Sequence, residues 1–211
     1  MFYFVKTPRW LQMLYGDCIW KMPTDQKKIY LTFDDGPHES ATPFVLEQLK
    51  EYGAKATFFC IGKNVVEQPL LYEQIVSAGH AVGNHTFNHL NGWKTPTDRY
   101  LQNIQDCADA LAPDNPKTAK HLFRPPYGRI TRGQIQHLRD YRIIMWDVLS
   151  VDYDRSLPAE RCLRNTLRAV RPGSIVVFHD SLKAEKNMTY ALPRLLEQLT
   201  GEGYRFKSLH E

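Results

Sequence analysis

Seven short apolar runs punctuate the chain, separated by longer amphipathic stretches. KIYLTF (28–33), KATFFCIG (55–62), HAVGN (80–84), HLFR (121–124), RIIMWDV (142–148), SIVVFHD (174–180) and YRFKSL (204–209) are short and rich in β-formers. Near-continuous apolar runs of that length are the pattern of strands covered on both faces. Between them, TPFVLEQLKEYG (42–53) predicts a helix with Thr42 as N-cap, Pro43 at the first helical position and Gly53 past its end. QPLLYEQIVSAG (68–79) repeats that grammar with Pro69 and Gly79. Residues 97–112, 131–140, 158–170 and 192–203 complete the helical set. Strand and helix alternate, so the chain predicts a parallel α/β sheet with helices outside. Seven units in this length predict a closed or nearly closed barrel, with an open doubly wound sheet as the alternative. LAPDNPKTAK (111–120) reads as a turn-rich surface loop rather than a domain boundary.

Composition narrows the class. The 211 residues, 43% apolar and 24% charged, suit one soluble globular domain. A net charge of +4, spread along the chain, is too mild to indicate nucleic acid. No apolar run approaches the roughly 18 residues of a membrane span. The N-terminus lacks a continuous apolar core and a small-residue cleavage site, so it does not read as a leader, and the expected location is cytoplasmic. Cys18, Cys60, Cys107 and Cys162 are far apart and read as buried thiols of a reducing compartment. Residues 1–27 read as an N-terminal extension packed on the barrel, either an extra strand and helix closing it or a partner contact.

In parallel α/β sheets chemistry collects beyond the carboxyl ends of the strands. There stand Asp34-Asp35, Asn84-His85, Arg124, the stretch from Asp147 to Asp152, and His179-Asp180. Two adjacent carboxylates repel unless a cation joins them. His85 and His89 are four apart, which on one helical turn puts both imidazoles on one face; by itself such a pair also arises by chance on a solvated face. Asp35, His85 and His89 together make a His-His-carboxylate set with room for water, the pattern of a catalytic rather than a structural metal site. Asp35 is then the ligand and Asp34 a free general base. A turn at Gly36-Pro37 lets both acids face one pocket. In FRPPYG (123–128), Arg124 either braces Asp34 or forms a surface ion pair. Pro125 and Pro126 have no N–H, so that of Tyr127 is the next donor for an oxyanion. Trp146 is core or pocket wall. Asp152 is placed to orient a histidine. His179, ending its strand, is a proton donor or a structural histidine.

Taken together, TFDDG (32–36), HTFNH (85–89), RPPYG (124–128) and the strand ending in His179 resemble the polysaccharide deacetylases, carbohydrate esterase family four, over Lys28 to Leu209. The resemblance implies a distorted, incompletely closed, TIM-barrel-like (β/α)7 barrel as the catalytic domain (28–211). It implies Asp34 as base, Asp35, His85 and His89 on a divalent metal, Arg124 bracing the base, Tyr127 at the oxyanion, and Asp152 tuning the acid His179. The implied reaction is hydrolysis of N-acetyl groups on an acetylated amino-sugar glycan, peptidoglycan or chitin-like, with release of acetate. The implied metal is Zn²⁺, with Co²⁺ or Ni²⁺ also suited to this donor set. Two motifs depart from the family pattern. LSVDY (149–153) has Leu149 in the first acidic place and Tyr153 in that of a tryptophan. VFH (177–179) has Val177 for the usual Leu two residues before the histidine. These departures bear on the substrate pocket, which Pro125, Trp146, Tyr153 and the other rim aromatics Phe87, Trp93 and Tyr127 either line or merely pack beneath. The competing readings are an amidase of small cyclic amides or ureides, an O-acetyl glycan esterase, an Fe(II) oxygenase and a non-catalytic glycan-binding module.

Overall fold

The computed structural model describes residues 3–111 and 122–210. The loop expected at 111–120, from residue 112 on, and His121 of the fourth run lie outside them.

A helix α1 (Arg9–Leu14) precedes β1 (Lys28–Asp34). There follow α2 (Ala41–Glu51), β2 (Thr57–Cys60), α3 (Gly62–Glu67), α4 (Pro69–Ser77), β3 (Ala81–Asn84) and α5 (Thr97–Leu111). The remainder is β4 (Leu122–Phe123), α6 (Arg132–His137), β5 (Arg142–Ile143), β6 (Val148–Leu149), α7 (Ala159–Ala169), β7 (Ile175–His179), α8 (Glu185–Gly201) and β8 (Arg205–Phe206). The strands pair in the order β5-β4-β3-β2-β1-β7-β6, all parallel, and β8 joins the start of β1. The two ends of this path, β5 and β6, are neighbours in sequence. The sheet therefore curls round and stops short of closing, as an open (β/α) barrel.

The seam is where expectation and structure differ. The single run RIIMWDV becomes two strands, because residues between β5 and β6 cross from one edge of the sheet to the other. Ile144 N–H still bonds Phe123 O at 2.8 Å, whereas Asp147 N–H bonds Ile175 O at 3.0 Å. N-terminal residues fill the gap: Ile19 pairs with Ile144 in parallel and Lys6 with Val148 antiparallel.

The core follows the apolar pattern. Phe33 of β1 stacks on Phe58 at 5.1 Å and Phe178 at 6.2 Å. All three are fully buried, each contributing about 2 kcal/mol of transfer free energy. The four cysteines are buried and unpaired. Gly53 (φ 57°) and Gly79 (φ 74°) end α2 and α4 in the left-handed region, as their sequence positions suggest. Thr42, however, does not cap α2. The helix starts earlier, and the Thr42 hydroxyl instead donates to Asp180 at 2.6 Å and accepts from the His38 N–H at 2.8 Å. Helix α8 begins at Glu185 and carries Pro193 inside it rather than at its start.

Candidate active site

Strand register brings the polar ends to one rim. Asp34 stands beside His179 across β1 and β7, and Asn84 beside Phe123 across β3 and β4. The chain then leaves each strand through left-handed residues, namely Asp35 (φ 80°), Thr86 (φ 61°), His89 (φ 54°), Tyr127 (φ 60°) and Val151 (φ 62°). Such conformations are costly for non-glycine residues and persist only where their surroundings fix them. Here the fixing groups are visible. Asn64 donates to Asp35 O at 2.7 Å. Asn84 Oδ1 accepts the Thr86 N–H at 2.8 Å, while its Nδ2 donates to Ile104 O at 2.7 Å. The Gly36 N–H donates to Asp180 Oδ1 at 3.1 Å, and a β-carbon on Gly36 would lie 2.0 Å from Asp180 Oδ2. A glycine is therefore required there.

The break in strand alternation falls on Asp35 itself. Asp34 stays in the strand, 3% exposed, and turns inward to Arg124. Arg124 is fully buried: Nη1 donates to Asp34 Oδ1 and Thr32 Oγ1, both at 2.7 Å, Nε to Ile144 O at 3.1 Å and Nη2 to Met145 O at 2.9 Å. Burial lowers the guanidinium pKa and Asp34 works against that. Of the two sequence alternatives for Arg124, the surface ion pair is ruled out.

Asp35 faces the histidines, with Oδ1 3.2 Å from His89 Nε2 and 3.6 Å from His85 Nε2. The expected helical turn is absent: residues 85–90 form an irregular bend, and the rings meet at 5.1 Å between centroids because Thr86 and His89 reverse the backbone. Ligand atoms of Asp35, His85 and His89 all lie within 4.8 Å of one another. His85 Nδ1 sits 2.8 Å from Arg124 O, which only accepts, so Nδ1 carries the proton and Nε2 presents a lone pair. Burial lowers the His85 pKa to about 4, keeping that lone pair free at neutral pH. Burial pushes the Asp35 carboxyl up, but the His89 hydrogen bond and the charges of His179, His85 and His89 outweigh it and hold the carboxyl below its ordinary range. A lone pair facing a carboxylate is unfavourable until a cation lies between them. The donor set thus fits a divalent metal of the zinc type.

His179 donates Nδ1–H to Asp152 Oδ1 at 2.7 Å, and its backbone N–H donates to Asp152 Oδ2 at 2.7 Å. Burial lowers the imidazole pKa, and the Asp152 charge and bond, with Asp35 and Asp34, raise it beyond compensation to about 9. Nε2 of a charged His179 is then a donor on the side of the ring away from Asp152. Tyr153 meets His179 edge-on at 5.1 Å. Tyr127 is 59% exposed and its ring lies 4.6 Å from that of His89. Trp146 is both core and wall, packing on Gly128 and lining a groove. Pro125 is buried, and its carbonyl accepts the Gly128 N–H at 3.0 Å. Asp180 carries a structural task that sequence reading did not assign. Its partner Thr42 lies 138 residues away, and no local pattern links the two.

A polysaccharide deacetylase family model matches residues 21–146. The chain is 33% identical to a peptidoglycan-N-acetylglucosamine deacetylase of Bacillus cereus over 201 residues, covering 93% of this chain and 92% of that protein. It is 35% identical to a chitooligosaccharide deacetylase of Azorhizobium caulinodans over 162 residues, 76% of this chain and 77% of that one. It superposes on a crystal structure of a peptidoglycan N-acetylglucosamine deacetylase in complex with 4-naphthalen-1-yl-N-oxidanyl-benzamide with a TM-score of 0.87 at 30% identity, covering 96% of this chain and 95% of that one. Sequence, fold and the order of the rim residues agree, and the chain belongs to the polysaccharide deacetylase family.

Proposed function

We propose that this protein hydrolyses the N-acetyl groups of an acetylated amino-sugar glycan, peptidoglycan or chitin-like, to a free amine and acetate. The observation that carries this reading is the placement of Asp35, His85 and His89 around one point, with Asp34 and His179, neighbours across β1 and β7, on the same rim. The names of the relatives support the substrate class. A divalent cation held by Asp35, His85 and His89, of which Zn²⁺, Co²⁺ and Ni²⁺ suit the donors, would acidify a water and polarise the acetyl carbonyl.

The protein's own groups then divide the proton traffic. Asp34, held in place by Arg124 at Oδ1, takes a proton from the attacking water through its second oxygen. The water oxygen bonds the acetyl carbon, and the Tyr127 N–H is the first donor after two prolines that can meet the developing oxyanion. An amine leaves only once protonated. His179 Nε2–H supplies that proton as the C–N bond breaks, while Asp152 fixes its tautomer. Each such acid or base contributes roughly 10²–10⁴ in rate. An O-acetyl ester needs no protonated amine to leave, so the investment in His179 and Asp152 favours the amide.

The test is acetate release from N-acetylated oligosaccharides by wild type, Asp34→Asn and His179→Ala, with and without chelator. Losses of at least about a hundredfold in both variants are expected; wild-type rates in either overturn the assignment. Among the described residues no helix is long and apolar enough to cross a membrane. Cell fractionation tests the expected cytoplasmic location: recovery in the cell-wall fraction overturns it.

A further inference from the structure

A groove of about 290 Å³ opens beside the site, at the small end of ligand pockets. It begins at the two aromatics that border the candidate catalytic histidines, Tyr127 against His89 and Tyr153 against His179. Its floor includes Trp146 and Leu149. Trp146 reaches its place because Gly128, at φ +64°, has no β-carbon; one built there would lie 2.6 Å from the indole. Leu149 and Tyr153 are the two positions at which the fourth motif departs from the family pattern, and both line this groove.

The far wall comes from the N-terminal segment, ahead of the residues that the family model matches. Tyr3 and Phe4 line the groove, and the segment behind them is bound as an extra antiparallel edge. Leu149 N–H donates to Val5 O at 2.9 Å and Thr7 N–H to Asp147 O at 3.0 Å. Lys6 Nζ is paired with Asp147, and Thr7 Oγ1 donates to Trp146 O at 2.8 Å. Tyr3 lies close enough to Tyr153 to add to the rise of its phenol pKa, which burial chiefly causes. The wall is thus held in register with the catalytic rim, and Phe4 keeps 40% of its surface exposed.

A pyranose ring has an apolar C–H face and a polar edge. Aromatic faces bury the first and leave the second to water. We propose that this groove binds the sugar ring next to the one being deacetylated, and that Tyr3 and Phe4 make the enzyme select an oligomer over a monomer. The proposal rests on the deacetylase reading for the identity of the chain that passes through the site. The groove's continuity with Tyr127 and Tyr153 supplies its direction.

The experiment compares wild type with Tyr3→Ala/Phe4→Ala on N-acetylglucosamine and on its oligomers of increasing length. Acetate release is read alongside quenching of tryptophan fluorescence on binding. The double variant is expected to lose about tenfold in kcat/KM on oligomers, through KM, with monomer turnover unchanged. Tyr3→Phe/Phe4→Tyr, which keeps both rings, is expected to restore the oligomer preference. Equal losses on monomer and oligomer, or no loss on either, overturn the groove. If wild type binds oligomers in a length-dependent way that the double variant loses, yet releases no acetate, the deacetylase reading falls and the groove stands. Length-independent binding by wild type overturns the groove alone.

Discussion

Replacing Asp152 by Asn tests the acid arm of the site. The wild-type carboxylate makes two 2.7 Å bonds to His179, one to the imidazole and one to the backbone N–H. Burial alone would lower the imidazole pKa, yet with Asp152 in place it rises from 6.5 to about 9. That rise corresponds to roughly 3 kcal/mol of preference for the charged ring. An amide has one accepting oxygen, so in the variant one of the two bonds becomes a donor facing a donor. With the charge removed, burial governs, and the ring is neutral in most molecules at pH 7.5. The pH profile of kcat/KM for acetate release reports these ionisations. The alkaline limb of Asp152→Asn is expected about two pH units below that of wild type, with about a tenfold loss at pH 8 from protonation alone. A cation at Asp35 lowers both limbs and leaves their separation. Stability carries the same sign. Because the folded pKa exceeds the unfolded 6.5, the contribution is fully present below that value and lost as pH rises through about 9. Urea denaturation should therefore show the variant weaker at pH 6, with the gap narrowing toward pH 10. An alkaline limb unchanged by the substitution would refute the pairing of Asp152 with a proton-donating His179.

Arg124→Met removes the donor to Asp34, Thr32, Ile144 and Met145 in a fully buried position; a loss of about 3–5 kcal/mol in urea denaturation is expected, and a loss under 1 kcal/mol contradicts the buried pair. Burial above all raises the Asp180 carboxyl from 3.8 to about 8, so the folded state keeps a proton that the unfolded chain has released. Wild-type stability then falls as pH rises between those values, and Asp180→Asn should flatten the slope, the gap between the two growing toward pH 8. Gly36→Ala drives a methyl into Asp180 and should cost about a hundredfold in kcat by displacing the adjacent acids; near-normal turnover would show that this loop tolerates repacking.

Sequence pattern reached the strands that lie wholly inside the sheet and the caps whose chemistry is local, such as Gly53 and Gly79. It lost the seam. RIIMWDV is apolar throughout because it is buried throughout, and apolarity does not record which neighbour a residue bonds. Helix α3 was missed because six residues are too few to show a period. Thr42 looks like an N-cap because its chemistry fits one, but a buried carboxyl from the far end of the chain claims its hydroxyl. Residue type and spacing singled out the three candidate ligands that the structure brings together, although the helical turn first invoked for His85 and His89 does not exist. Left-handed backbone at Thr86, pinned by Asn84, and at His89 does the same work, and nothing in the order HTFNH announces it. Residues 1–27 were expected either as a strand and helix closing the barrel or as a partner contact, but nothing local showed that Tyr3 and Phe4 wall the groove, since the strand their segment pairs with lies more than 140 residues downstream.

The central claim is that Asp35, His85 and His89 bind one divalent ion beside Asp34 and His179. The most direct measurement is anomalous diffraction at the zinc edge from crystals grown with zinc, repeated on His85→Ala. The account predicts one strong peak within direct coordination distance of a carboxylate oxygen of Asp35 and the Nε2 atoms of His85 and His89, absent or greatly reduced in the variant. A peak elsewhere on the protein, or none at these three side chains, contradicts it.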